Sequence, residues 1–289
     1  MRFAFGISLA AAVVTALPVS ILAAPVPSAI YTDPVHDAKY PAAMVVLHIP
    51  THGLAINGLA YVPVGRGPHP VLVICHGLPG NEKNLDLAQA VRRAGWVAVT
   101  FNYRGSWGSP GSYSLLGNLD DAAAVLTYLR DPHNAGALRE DPKRIAIAGH
   151  SMGGWVAATT AARDSGVIGT ALISPLDPAS PMTHEDAIAF MADNLESLAG
   201  ATAESLAAER DTHINEMALS GAVEGLKGRP LLALSVDDGP LFRTDALVEA
   251  IQASGGGHVT AAHVATDHAW SDRRIELESR VVRWLQTLH

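Results

Sequence analysis

The stretch Arg144–Trp155, "RIAIAGHSMGGW", decides the fold class. Its apolar first half predicts a buried strand, its glycine-rich centre a tight turn, and the Ala-rich residues that follow a helix. Backbones approach closely in such a turn, so Gly149 and Gly153 avoid clashes that a Cβ would create. The hydroxyl of Ser151 is then exposed at a helix N-terminus, where the helix dipole favours negative charge. Taken alone, the motif is also compatible with a glycine-rich turn that carries an incidental serine.

Apolar runs alternate with helical patterns along the rest of the chain. Strands are predicted at Met44–Ile49, Ile56–Val62, Val71–Cys75, Val97–Phe101, Ile145–Ala148, Gly169–Ile173, Leu231–Ser235 and Val259–Val264. Helices are predicted at Asn84–Ala94, Asp120–Arg130, Met152–Arg163, Thr244–Ala253 and Asp272–Leu288, the last with Ile275, Val281, Val282 and Leu285 among its buried positions. The later strands are continuous apolar runs, which suits parallel strands covered by helices on both faces. The sequence therefore predicts an α/β fold with a mostly parallel, eight-stranded sheet flanked by helices.

One segment of about fifty residues, Asp177–Lys227, interrupts this alternation. Its apolar residues recur at helical spacing, at Ile188, Met191, Leu195 and Leu198. We interpret the segment as a helical insertion that forms a lid or cap over the ends of the strands. The alternative is a set of extra helices that pack at the sheet edge without touching a substrate.

The segment "VICHGLPGN" ends an earlier strand and supplies a second polar feature. His76, Gly77 and Leu78 follow that strand, where a backbone N–H can face Ser151. The N–H of Leu78 and the N–H of Met152, the residue after the serine, would form a pair of donors for a tetrahedral oxyanion. This role needs no side chain, which explains a glycine turn at this place.

A serine nucleophile needs a base, and the chain has thirteen histidines. His268, in "VATDHAWSDRR", follows the last predicted strand and therefore lies at the same end of the sheet as the serine. His76 and His150 flank the proposed donors, and we predict that they serve local packing and hydrogen bonding. A zinc site is disfavoured, because His258 and His263 are five residues apart on a strand and point to opposite faces.

The segment "VDDGP" after the strand "LLALS" supplies Asp237 and Asp238 as candidates for an acid that orients the base. Adjacent residues of an extended segment point to opposite sides, so at most one of them faces His268. The chain order of serine, acid and histidine matches a triad on an α/β fold and differs from the orders of unrelated serine protease folds.

These motifs together resemble the α/β-hydrolase superfamily, and more closely the branch of the dienelactone hydrolases and of the catalytic domains of prolyl-oligopeptidase-like enzymes. The resemblance rests on "HGLPGN", "NYRGSWGSPG", "GHSMGG", "DDG" and "DHAWSDRR", and it extends from about Val45 onward, apart from the insertion. The chain departs from dienelactone hydrolase itself in carrying Ser where that enzyme has Cys.

The resemblance implies the α/β-hydrolase fold, a Ser-His-Asp triad and an oxyanion hole, without a metal or an organic cofactor. The family's usual spacing after the strand maps the acid onto Asp238, whereas Asp237 would brace the loop. It also implies that Arg104 holds the loop in which it lies. Trp107 and Tyr113, in the same stretch, either line the substrate pocket or belong to the core.

The function that we predict is cleavage of carboxylic esters by a serine hydrolase. Ser151 attacks the acyl carbon, His268 takes its proton and returns it to the leaving group, and Asp238 fixes the imidazole tautomer. The expected substrate is a small acyl ester or a short peptide. A small serine peptidase or amidase and an acyltransferase are alternatives that use the same residues. A binding protein that retains the fold without catalysis is a third.

Composition and charge limit the partners and the location. The net charge is −8 and no basic stripe is present, which argues against a nucleic-acid partner. The apolar residues 1–24 predict a secretory signal peptide ahead of a hydrolase domain over 25–289, with a retained membrane anchor as the alternative. We therefore expect an exported protein with no membrane span after processing. Cys75, the single cysteine, is predicted to lie in the core, and the oligomeric state stays open.

Overall fold

The computed structural model describes residues 25–239, 241–242 and 244–288. The predicted signal peptide lies outside the described residues. Strands are β1 (Ala43–Thr51), β2 (Leu54–Val62), β3 (His69–Cys75), β4 (Val97–Phe101), β5 (Glu140–His150), β6 (Val167–Ile173), β7 (Leu231–Ser235) and β8 (Val259–His263). Helices are α1 (Leu85–Arg93), α2 (Gly117–Arg130), α3 (Pro132–Leu138), α4 (Met152–Arg163), α5 (His184–Ala192), α6 (Ala203–Thr212), α7 (Ile214–Met217), α8 (Val223–Leu226), α9 (Thr244–Ala253) and α10 (Arg274–Leu285). None of the helices in these ranges has the length and hydropathy of a membrane span.

The strands form one eight-stranded sheet in the order β1-β2-β4-β3-β5-β6-β7-β8. The pairings β1 with β2 and β2 with β4 are antiparallel, and every pairing from β4 to β8 is parallel. The predicted sheet is thus confirmed. Successive side chains of β3 point to opposite faces. Val71 and Val73 pack with α2 and α4, whereas Leu72 and Ile74 pack with α1 and α10.

The position of β4 creates the crevice in which a site can form. The strands β3 and β5 are neighbours, although β4 lies between them in the chain and on the far side of β3. The segments that leave the carboxyl ends of β3 and β5 therefore diverge, and ligands of open α/β sheets bind at such a switch point. The first residue after β3 is His76, and the first after β5 is Ser151.

Several predicted bounds and one predicted burial differ from the structure. The helix predicted from Asp120 begins at Gly117, and the one predicted from Asp272 begins at Arg274. Ile275, predicted to be buried, is 60% exposed because it lies on the solvent side of the first turn of α10. The helix α3 was not predicted, although Asp131 caps it by accepting from two backbone N–H groups and Pro132 occupies its first position.

The insertion over residues 177–227 is helical, as predicted, and contains α5 to α8. Its helical pattern extends to Leu195 and Leu198, but α5 ends at Ala192, and both leucines lie in the following turn against the core. Backbone hydrogen bonds join this turn to the segment after β4: the N–H of Ala199 donates to the carbonyl of Gly105 at 2.7 Å.

Glu209 on α6 forms a second set of hydrogen bonds between the insertion and the segment after β4. Its carboxylate accepts from the hydroxyl of Ser114 at 2.7 Å and from the N–H groups of Leu115 and Leu116 at 2.9 and 3.0 Å. The insertion is therefore tethered at two places to the segment between β4 and α2. Whether it gates the site stays a prediction.

Candidate active site

The turn between β5 and α4 holds Ser151 in a strained conformation. Its φ of 58° and ψ of −127° are unusual for a residue with a Cβ, and such outliers cluster at functional sites. A Cβ on Gly149 would overlap the carbonyl of Gly153, and a Cβ on Gly153 would overlap the carbonyl of Cys75. The close approach predicted for both glycines is confirmed.

The structure brings His268 and Asp238 together. His268 Nδ1 lies 2.9 Å from Asp238 Oδ2, and the side chain of Asp238 is only 4% exposed. Asp237 turns away and contacts His263 Nε2 at 3.1 Å, where both side chains are more than half exposed. Because Nδ1–H donates to the carboxylate of Asp238, the lone pair on Nε2 of His268 is left to accept a proton.

His150 connects the histidine loop to the serine. Its Nε2–H donates to the backbone carbonyl of His268 at 2.8 Å, and the two ring centroids are 4.6 Å apart. Among the described residues no hydrogen bond joins the hydroxyl of Ser151 to His268. Such bonds are often long in unliganded sites and tighten when substrate binds.

The loop after β3 packs directly against Ser151. A Cβ on Gly77 would lie 3.0 Å from Ser151 Cβ and 3.5 Å from Ser151 Oγ. His76 Nδ1–H donates to the carbonyl of Gly77 at 2.7 Å. Because a trans peptide unit is planar, its C=O and N–H point in opposite directions. Fixing the carbonyl of Gly77 therefore also fixes the direction of the N–H of Leu78.

The second predicted donor, the N–H of Met152, belongs to the first residue of α4 and has no acceptor within its helix. Across the described residues, neither this N–H nor that of Leu78 donates to a protein acceptor. One unused N–H group thus lies on the residue after Ser151, and the other lies on the residue after Gly77, which packs against Ser151. This arrangement suits an oxygen that becomes negatively charged.

Both histidines beside these donors are buried, and burial lowers their pKa values. The pKa of His76 falls to about 4 and that of His150 to about 3. One ring nitrogen of each is hydrogen-bonded, while His76 Nε2 and His150 Nδ1 are buried without a partner. Both rings are therefore neutral near neutral pH and act as hydrogen-bond donors to backbone carbonyls.

The segment after β4 supports the site without entering its chemistry. Arg104 donates from Nε to Asp121 Oδ1 at 2.7 Å and from Nη2 to the carbonyl of Gly117 at 3.0 Å, so its predicted structural role is confirmed. Tyr113 is buried and accepts from Asn118 Nδ2 at 2.9 Å, which places it in the core. Trp107 is 39% exposed, and its Nε1–H donates to the carbonyl of Pro79 at 2.7 Å.

Two residues at the site were not predicted. The ring of Phe242 lies 4.2 Å from the ring of His268, and Ser197 of the insertion donates to the carbonyl of Pro79 at 3.2 Å. Neither belongs to a motif, so no signal in the sequence marks them. Among the described residues, no cluster of three His, Cys, Asp or Glu side chains could hold a metal ion.

Residues 72–285 match the model of the alpha/beta hydrolase family. The chain belongs to this family. The matched range contains both loops that face Ser151 as well as Asp238, His268 and the whole insertion. Membership thus covers the complete candidate site.

Curated relatives match shorter parts of the chain. An uncharacterized protein of Mycobacterium tuberculosis is 32% identical over 136 residues, which cover 47% of this chain and 44% of that protein. The lysophosphatidylserine lipase ABHD12 of Danio rerio is 34% identical over 113 residues, 37% of this chain and 28% of that protein. The chain thus spans less than half the length of these relatives.

A solved structure shares the fold over nearly the whole length. EstE1, a thermostable carboxylesterase from a metagenomic library, superposes with a TM-score of 0.64 at 21% identity. The superposition covers 91% of this chain and 92% of that one. The two proteins therefore share the same fold over nearly their whole lengths.

Proposed function

We propose that the protein hydrolyses carboxylic esters through an acyl-enzyme on Ser151. The observation that carries the proposal is the hydrogen bond between Asp238 and His268, at 2.9 Å. The backbone carbonyl of His268 also accepts from His150, the residue before the strained Ser151. A serine hydroxyl is a weak nucleophile at its free pKa and needs an adjacent base held in one tautomer. Asp238 supplies that restraint, because it accepts from Nδ1–H and leaves Nε2 free to accept.

In the proposed reaction, Ser151 Oγ forms a bond to the acyl carbon while its proton passes to His268 Nε2. The carbonyl oxygen becomes an oxyanion, which the N–H groups of Leu78 and Met152 stabilise. His268 then protonates the leaving alcohol, and the ester C–O bond breaks. In the second half of the reaction, His268 takes a proton from a water molecule, whose oxygen forms a bond to the acyl carbon. The bond between the acyl carbon and Ser151 Oγ then breaks, His268 returns the proton to Ser151, and the carboxylic acid leaves.

Esters are proposed over amides on the strength of the relatives. The lipase of Danio rerio and the carboxylesterase EstE1 are named for ester hydrolysis. Peptide or amide cleavage, and acyl transfer to an alcohol, would use the same atoms, so both are alternative outcomes of the test below.

The test is turnover of p-nitrophenyl esters with acyl chains of two to twelve carbons, measured beside aminoacyl p-nitroanilides. We expect ester hydrolysis that Ser151→Ala removes and little hydrolysis of the anilides. A faster rate on the anilides would assign the protein as a peptidase or amidase. Equal ester rates in the wild type and in Ser151→Ala would contradict the proposal.

We also propose export of the protein, from the layout of residues 1–24. The N-terminal sequence of protein secreted by the native cell should begin near residue 25. Material that retains the first residues and sediments with membranes would support an anchor instead.

A further inference from the structure

Two hydrogen-bond donors converge on the carbonyl of Pro79, the residue that follows Leu78. Trp107 Nε1–H donates to it at 2.7 Å, and the hydroxyl of Ser197 donates at 3.2 Å. Trp107 lies in the segment after β4, whereas Ser197 lies in the insertion. Two segments that are far apart in the chain thus bind one carbonyl beside the proposed oxyanion donor.

The same loop is tethered on the other side of Leu78. The carbonyl of Gly77 accepts from His76 Nδ1–H at 2.7 Å. Gly80 closes the loop at a φ of 94°, and a Cβ there would lie 3.0 Å from Trp107 Nε1. The N–H of Leu78 therefore lies between two carbonyls that side chains hold, so its direction depends on both tethers.

Trp107 is itself held by the insertion. Its backbone N–H donates to the carbonyl of Ser197 at 3.1 Å, and Leu198 pairs with Ser106. Lys83 Nζ lies 4.2 Å from the centre of its indole ring. The φ of Trp107 is 49°, a conformation that persists for a bulky residue only where surrounding contacts enforce it. The insertion, Trp107 and Pro79 form one connected unit.

We propose that Trp107 and Ser197 are positioning residues for the N–H of Leu78, so that the insertion supports catalysis by holding the oxyanion loop. This inference rests on the proposed ester hydrolysis. Donors that stabilise an oxyanion act through pre-set geometry, and a displacement of about 1 Å lowers rates by up to about a hundredfold. Loss of a tether should therefore slow the chemical step more than it weakens substrate binding.

The test compares Trp107→Phe, which keeps an aromatic ring beside Lys83 but lacks the N–H, with the wild type. We expect kcat on a short p-nitrophenyl ester to fall about tenfold with KM changed less than about twofold. The affinity for phenylboronic acid, whose tetrahedral adduct on Ser151 places an oxygen in the oxyanion hole, should fall by the same factor as kcat. Ser197→Ala should lower kcat by about threefold, and Ser197→Thr, which keeps the hydroxyl, should restore it.

A matched control removes a different hydrogen bond from the same segment. Asn57 Nδ2 donates to the carbonyl of Gly108 at 2.9 Å, and no hydrogen bond of the described residues joins it to Pro79. Asn57→Ala should leave kcat and the boronic acid affinity within about twofold of the wild type. An equal loss in Asn57→Ala and in Trp107→Phe would show that general loosening of the segment is responsible, which overturns the inference.

The failure of this inference is distinguishable from the failure of the proposed function. Ester turnover that depends on Ser151, together with unchanged kcat and boronic acid affinity in Trp107→Phe, would overturn the positioning role alone. Absence of Ser151-dependent turnover in the wild type would overturn the function on which it rests. If Trp107→Phe does not fold, the pair Ser197→Ala and Ser197→Thr decides: equal kcat in these two variants would also overturn the positioning role.

Discussion

The two sides of Ser151 are held in place by different parts of the molecule. On the side of the proposed base, His268 is tethered by Asp238 after β7 and by His150 at the end of β5. On the side of the proposed oxyanion donors, the loop of Leu78 is tethered by Trp107 and Ser197, which lie outside the central strands. The hydrogen bonds to His268 thus come from residues at the ends of β5 and β7, whereas those to Pro79 come from the segment after β4 and from the insertion. The insertion also contacts the loop after β7, where the N–H of Asp177 donates to the carbonyl of Leu241 at 3.0 Å. We therefore expect substitution of Ser197, rather than of the insertion as a whole, to affect mainly the side of Leu78.

The largest effect is expected from loss of the base. His268→Ala should lower kcat/KM on the preferred ester by at least about ten-thousandfold. Among the described residues near Ser151, His268 is the histidine that is paired with a buried carboxylate, that of Asp238. His263→Ala is the matched control, since His263 makes the equivalent contact to the neighbouring acid, Asp237. Its rate should stay within about threefold of the wild type. Equal losses of kcat/KM in His268→Ala and His263→Ala would contradict the assignment of the His268–Asp238 pair, rather than the His263–Asp237 pair, to catalysis.

The two adjacent acids should differ by a smaller but still large factor. Asp238→Asn should lower kcat by about a thousandfold or more, because an amide favours the wrong tautomer of His268. Asp237→Asn should lower kcat about tenfold or less, since the side chain of Asp237 is exposed and its partner among the described residues is the exposed His263. Steady-state kinetics of both variants checks this. The opposite order of rate losses would place the acid at Asp237.

Acidic pH should destabilise both sides of the site. Burial lowers the pKa of His76 to about 4 and that of His150 to about 3, whereas the unfolded chain titrates near the ordinary value of 6.5. Below pH 6.5 the unfolded state binds more protons, so stability falls as the pH falls. Each histidine should cost about 2 kcal/mol of unfolding free energy between pH 7 and pH 5.

Urea unfolding at both pH values measures this effect. His76→Gln and His150→Gln should each make the unfolding free energy depend less on pH between pH 7 and pH 5. Unchanged slopes in both variants would mean that other groups cause the loss of stability at acidic pH.

Loss of the hydrogen bond between His150 and His268 should lower the rate less than loss of His268 or Asp238. His150→Phe keeps a ring beside His268 but loses the N–H that binds its carbonyl, and kcat should fall by about tenfold. His150→Gln offers an amide N–H in a similar place and should recover most of the rate. Equal rates in the two variants would show that the hydrogen bond does not position the base.

Local sequence patterns were enough to predict most of the sheet and the central turn. The bounds of α4, α9, β4 and β7 match the predictions, because continuous apolar runs and turn glycines define them locally. The adjacent acids could also be separated, since the chain near them is extended and the family spacing supplies the register. Asp238 is indeed the one bonded to His268.

The tethers of the oxyanion loop could not be predicted. Ser197 contacts Pro79 across 118 positions of the chain, and nothing in its surrounding sequence indicates a partner. For Trp107 the sequence leaves pocket lining and core packing open; the structure shows it 39% exposed, with its indole N–H bonded to the carbonyl of Pro79, and pocket lining stays a prediction. Contacts of this kind depend on how whole segments pack, which a local pattern does not record.

The central claim is that Ser151 is a nucleophile activated by His268, and covalent labelling tests it most directly. A fluorophosphonate probe should modify the folded protein once, and peptide mass analysis should place the adduct on Ser151. Labelling should disappear in Ser151→Ala and, at neutral pH, in His268→Ala, while circular dichroism shows that both variants remain folded. Labelling that persists in Ser151→Ala, or an adduct on another residue, would contradict the account.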